Sequence, residues 1–269
     1  MLDTIVPSKL YKYQSCEPYA FNNLQQRQLW FSKPENFNDP FDSDINFAIT
    51  EVTEQNMRSL FDTLRESVPD KNAFDSTYTQ GGQINDRFRE GVVLFARRAT
   101  NTVKENKWKR LGIACFSEES DNILMWSHYA NGHQGFCLEF DTSFPPFKPV
   151  KRKTLLRVNY PETNSYPSLS LKDIPHNLPS LVETQLGTKS FQWCYEKEWR
   201  IFLSNGNQAY PFDKAALTGI YFGCKMKDAD KNTLTEILVD SPARLYQMQK
   251  SDTEFKVVAK EIFRHSLFH

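Results

Sequence analysis

Apolar and polar positions alternate one by one in several short stretches of this chain, the mark of short strands, and repeat at helical spacing between residues 50 and 110. Residues 10–14 read as a first strand, 17–28 as a passage through a short helix, and 28–32 as a second strand. KPENFNDPFD (33–42) then places two prolines among Asn and Asp side chains, which favours Asx-type turns over a regular element. There Asn38 and Asp39, just before Pro40, serve to set the chain direction. Residues 53–65 and 85–107 are helical by pattern, with Phe88, Val92, Phe95 and Ala96 recurring along the second. Residues 68–84, with Gly81 and Gly82, read as an exposed loop.

Beyond Gly112 the pattern changes. IACFS (113–117) is a buried strand, Ser120 or Asp121 an N-cap, and NILMWSHYA a short helix that Gly132 ends. In GFCLEFD, Phe136, Leu138 and Phe140 share one strand face, and Cys137, Glu139 and Asp141 the other. Residues 154–160 form another strand, 161–177 a surface loop, and 178–188 a helix. EWRIFL (198–203) and TGIYFG (218–223) are strands, followed by a helix over 228–238 and a closing strand pair over about 243–262 turned by KSDT. These strands do not repeat as βαβ units, so the expected class is α+β with mixed or antiparallel sheets. The whole chain, 1–269, reads as a single domain with a helical insertion near 50–110.

Composition narrows the function classes. Lysine plus arginine equals aspartate plus glutamate at 33 each, which argues against binding nucleic acid by bulk charge and leaves local patches only. Arg97, Arg98, Lys104, Lys107, Lys109 and Arg110 make one such patch; Lys148, Lys151, Arg152, Lys153 and Arg157 make another. Aromatic residues reach 14%, with 21 Phe, so rings carry much of the packing. Five widely spaced cysteines without a CxxC pair speak against a zinc ribbon or a disulfide framework. With no signal-like apolar start and no apolar run of membrane length, the expected setting is the reduced cytoplasm.

Candidate chemistry gathers in two places. In YEKEWRI (195–201), strand alternation sends Trp199 and Ile201 to the core and Glu196, Glu198 and Arg200 to the opposite face. That face is either an exposed ladder with a weak Glu–Arg pair or a cleft in which two carboxylates meet one substrate. The second place is SDNILMWSHYANGHQGFCLEFD (120–141), where Trp126, His128 and Tyr129 crowd a helix-to-strand passage as a polar core or as a ligand wall. His128 and His133 lie five apart, off the spacing that sets two ligands on one helix face, so no metal is expected. Ser117 ends a strand without a GxSxG elbow, so it orients a carboxylate or ribose rather than attacking a carbonyl. Walker, GxGxxG and HExxH motifs are missing as well.

LYKY, LWFSKPENFNDPFD, ACFSEESDNILMWSHYANGHQGFCLEFD and WCYEKEWRI, in this order, resemble a widespread prokaryotic family known only as a domain of unknown function. The likeness runs from Leu10 to Gly223 and is weakest across the helical insertion. More distantly, the chain is similar to the ADP-ribosyltransferase fold of the arginine–serine–glutamate class. This similarity implies Glu198 as catalytic glutamate with Glu196 as its partner, Ser117 as the class serine, and Lys12 in place of the arginine. Lysine supplies a point charge without the bidentate fork. Under the resemblance, NAD is the substrate, Tyr13 and Trp126 stack nicotinamide, and His128, Tyr129 and Arg200 complete the binding wall. ADP-ribose would pass to an unidentified macromolecular acceptor or to water, with no metal and no membrane involved. Two other readings stay open: a non-catalytic ligand-sensing or protein-binding module, associated at family level with phage defence or mobile elements, and a nuclease using His128, His133 and Glu139.

Overall fold

The computed structural model describes residues 5–43, 48–50, 53–106, 108–148, 155–163, 168–170 and 184–263. The chain opens with β1 (Lys9–Gln14), α1 (Pro18–Gln25), β2 (Gln28–Phe31) and β3 (Ala48–Thr50). There follow α2 (Glu54–Ser67), α3 (Lys71–Tyr78), the short strands β4 (Thr79–Gln80) and β5 (Gln83–Ile84), and α4 (Asp86–Asn106). Next come β6 (Gly112–Ser117), α5 (Ile123–Tyr129), β7 (Phe136–Asp141), β8 (Leu155–Arg157) and β9 (Ser168–Ser170). The last elements are β10 (Glu198–Leu203), β11 (Gln208–Pro211), β12 (Leu217–Phe222), α6 (Asp228–Ile237), β13 (Arg244–Lys250) and β14 (Val257–Ile262).

Eight strands form one mixed sheet in the order β14-β13-β12-β7-β1-β6-β10-β8. Only β12 and β13 pair in parallel in this sheet; its remaining pairs are antiparallel, so the fold is α+β. One face is apolar. Leu10, Phe116, Leu138, Phe140, Trp199 and Ile201 meet Leu24 of α1 and Leu234 of α6 in the main core. The opposite face carries a smaller apolar cluster that includes Tyr13, Trp126, Tyr221 and Met248, together with most of the buried charge. The expected alternation in β7 and β10 therefore holds, because burying one face of a strand fixes every second side chain.

The helical insertion has its own core of Met57, Leu60, Phe61, Phe88 and Val92. Within it, residues 68–84 are not the exposed loop that their composition predicts. Asp70 caps α3 by accepting from the Ala73 amide at 2.9 Å, and the Phe74 and Tyr78 rings pack on Phe61 and Phe88. Phe95, expected on the apolar side of α4, is exposed instead. The predicted loop over 161–177 likewise contains β9, which pairs in parallel with β3. Most of the helix predicted over 178–188 lies outside the described residues, and residues 184–186 are helical. Of the basic patches, Lys107 and residues 151–153 also lie outside them. Among the described residues no helix is long and apolar enough to cross a membrane.

Candidate active-site cleft

Tyr11 of β1, Ser117 of β6 and Glu198 of β10 are register partners across three adjacent strands, so their side chains leave one face in a row. Among the described residues, Tyr11 and Ser117 are the only register pair that joins β1 to β6. A cavity of about 780 Å³ lies against these strands, bounded also by α1, the 36–42 turn, α5 and the segment 189–198. Lys12 is half-buried in its wall, with its ammonium donating to the Cys115 carbonyl at 3.1 Å and lying 5.2 Å from the Phe116 ring centre. Burial lowers the Lys12 pKa, because removing the ammonium from water disfavours its charged form.

The floor of the cleft is an ion cluster. The Arg200 guanidinium grips Glu198 with two parallel bonds, Nε to Oε1 at 2.8 Å and Nη2 to Oε2 at 2.9 Å. Its remaining hydrogens go to Asp42 at 2.8 Å, the Ser43 hydroxyl at 3.0 Å and the Leu186 carbonyl at 2.9 Å. Lys189 sits beside them, 2.5 Å from Glu196, 3.2 Å from Asp42 and 3.4 Å from Glu198. Burial pushes the Glu198 carboxyl up, but the adjacent Arg200 and Lys189 charges outweigh it and hold the pKa well below the usual carboxylate range. Glu196 behaves oppositely. Burial, reinforced by the nearby Glu198 charge, outweighs Lys189 and raises its pKa to about 7. The Tyr129 hydroxyl donates to Glu196 at 2.5 Å, and the Asn38 amide in turn reaches Tyr129 at 3.4 Å.

The two carboxylates converge through a backbone kink. A 3₁₀ turn, Phe191–Glu196, ends at Glu196, Lys197 adopts the left-handed conformation with φ 44°, and the strand starts at Glu198. Simple alternation from Tyr195 onward does not apply, and the exposed Lys197 side chain turns away to pair with Glu119.

Of the residues singled out in the sequence, Lys12, Tyr13, Ser117, His128, Tyr129, Glu196 and Glu198 line this one cavity. Trp126 does not. It is fully buried, donates from its indole nitrogen to the Ser120 carbonyl at 2.8 Å, and packs edge-on against Tyr13, so it anchors α5 rather than stacking a ligand. Arg200 is also fully buried, and with all five guanidinium hydrogens committed it positions Glu198 instead of touching a ligand. The nuclease grouping is not assembled. Glu139 takes bonds from Lys9, Tyr11, Thr218 and Tyr221, while His133 stacks on Trp126 and His128 lies against Tyr195.

Asp42 and Lys189 are the cluster members that sequence reasoning missed. Asp42 carries no signal beyond membership of a turn-rich word, and Lys189 stands in no motif; only the fold brings them to Arg200 and the glutamates.

Residues 125–201 match the model of a family described as protein of unknown function (DUF2971). No curated protein and no solved structure matches the chain. The DUF2971 segment contains all of α5 but its first two residues, β7 and the Glu196–Arg200 end of the cleft, whereas Lys12, Asp42 and Ser117 precede it.

Proposed function

We propose that the cleft binds NAD and cleaves its nicotinamide–ribose bond, passing ADP-ribose to an acceptor nucleophile or to water. The observation that carries this reading is the convergence of Lys12, Ser117, Glu196 and Glu198, from three separate stretches of chain, on one cavity whose floor fixes Glu198 as an anion. As the bond from ribose C1′ to the pyridinium nitrogen breaks, the electron pair leaves with neutral nicotinamide and positive charge develops on the ribose. A fixed carboxylate that accepts the 2′-hydroxyl stabilises that charge most in a site poor in water. Glu196, with its pKa near 7, is matched to taking the acceptor's proton as the acceptor bonds to C1′. Labelled NAD incubated with wild type and with Glu198→Gln tests the assignment: at least a hundredfold slower nicotinamide release is expected of the variant, on the order seen when one transition-state electrostatic contact is removed. Equal rates in the two proteins would end the catalytic assignment.

A second reading, a ligand-binding module without turnover, is favoured by one feature. Glu198 already faces two cations, which lessens the negative field that it offers a developing cation. This reading expects NAD or ADP-ribose to raise the melting temperature while NAD stays intact.

A further inference from the structure

The inner and outer parts of the cleft differ in chemistry. Inside, every carboxylate and cation of the floor is engaged with another. Outside, Tyr19, Asn22 and Asn23 of α1, Trp30 and Ser32 around β2, and Gln14 at the end of β1 face the same cavity, and none carries a formal charge. Tyr19 and Trp30 are 58% and 41% exposed, which presents two aromatic surfaces to whatever enters. Among the described residues, the side chains of Gln14, Asn22, Asn23, Trp30 and Ser32 make no hydrogen bond, so amides, an indole N–H and a hydroxyl stand ready beside those rings.

From this juxtaposition we propose that the outer half of the cleft is a nucleobase subsite, which holds the base at the far end of a ligand whose glycosidic bond lies over Glu198. The idea rests on the nucleotide reading above and extends it. Three features select a base. Exposed rings provide a stacking surface that any π-face uses. A primary amide offers a donor and an acceptor side by side, the pattern that pairs with the edge of a base. An uncharged wall gives a phosphate or carboxylate no counter-charge, which places the ligand's anionic portion elsewhere. The cavity volume of about 780 Å³ suits a ligand with more than one ring, within the range of about 300–1,000 Å³ usual for such pockets.

Calorimetric titration of the full chain with AMP, with ribose 5-phosphate and with nicotinamide mononucleotide tests the subsite. AMP is expected to bind, and to bind roughly tenfold more weakly to Trp30→Leu and to the Asn22→Ala/Asn23→Ala pair, while Trp30→Phe keeps most of the affinity. Ribose 5-phosphate should bind at least tenfold more weakly than AMP. Comparable affinity for the two, an AMP affinity indifferent to both variants, or no AMP binding at all would overturn the subsite. Circular dichroism melts of these exposed-site variants confirm that each is folded. Failure of the nucleotide-cleavage reading looks different. NAD would survive incubation with the wild type, while AMP still bound through Trp30. Conversely, nicotinamide mononucleotide cleaved as well as NAD, with Trp30→Leu unaffected on both, would leave cleavage standing and remove the subsite.

Discussion

Arg200 joins two words of the sequence that lie 158 residues apart, the FNDPFD turn through Asp42 and the YEKEWR strand through Glu198. Replacing it by Met leaves two buried carboxylates with only Lys189 between them. Loss of one partner from a buried ionic cluster costs about 3–5 kcal/mol, so Arg200→Met is expected to lower the urea midpoint sharply, whereas a change at the surface pair Lys231–Asp228 should leave it almost unmoved. Glu196 provides a pH signature. Its folded pKa of about 7 exceeds the ordinary value of about 4.5, so its stabilising contribution is full below about 4.5 and is lost as pH rises through 7. Glu198 has its pKa depressed, so its contribution is lost only in acid, below this window. Lys189 and Tyr129, the other groups facing Glu196, are both raised away from the window: burial opposes the ammonium, but the three carboxylates outweigh it, and burial beside Glu196 lifts the phenol. Wild type minus Glu196→Gln stability, followed by urea denaturation from about pH 4.5 to about pH 8, should therefore fall by on the order of 1–3 kcal/mol. At this scale the EKE pair was legible because two carboxylates around one position are chemically conspicuous. Asp42 and Lys189 were not, since a lone aspartate in a turn and a lone lysine look like ordinary surface residues until the tertiary fold removes water from both.

The elements that carry the cleft are short, and their ends matter more than their lengths. Asn122, and neither Ser120 nor Asp121, caps α5: its side-chain oxygen accepts from the Leu124 and Met125 amides at 3.0 and 3.3 Å, and its amide group donates to the Tyr195 carbonyl at 2.9 Å. One side chain thus fixes both the helix bearing His128 and Tyr129 and the turn that delivers Glu196. Asn122→Ala is expected to cost about 1–2 kcal/mol, read by thermal denaturation, and to weaken ligand binding as Tyr129 loses its placement. Gly135, where the chain enters β7, has no room for a side chain, because a Cβ there would lie 2.0 Å from the Gln14 carbonyl oxygen. Strands β7 and β10 could be read from alternation because one face of each is apolar. The 3₁₀ turn and the left-handed Lys197 between the glutamates could not, since no glycine marks the kink and the local pattern fits a strand equally well. Residues 68–84 misled for a related reason: a polar stretch with two glycines hides Phe74 and Tyr78, whose partners belong to helices on either side.

Across the whole molecule, the class of fold was readable from strand-rich patterning without βαβ repeats, while the order of strands was not. That order is decided by pairings between distant segments, β1 with β7 and β6 with β10 among them, which leave no local trace. It has a practical corollary for dissecting the protein. The DUF2971 segment, 125–201, supplies β7 and the start of β10, yet in the sheet these two are separated by β1 and β6, both encoded earlier in the chain. A peptide cut at those limits would carry β7 without either of its neighbours, β10 joined only to the three-residue β8 at the sheet edge, and a guanidinium deprived of Asp42. Circular dichroism of that fragment is expected to show a largely unfolded chain, and adding residues 5–118 as a separate piece should restore secondary structure. The stretch most recognisable by its letters is therefore not a unit that can stand by itself; half of what it needs to become a structure was written before it.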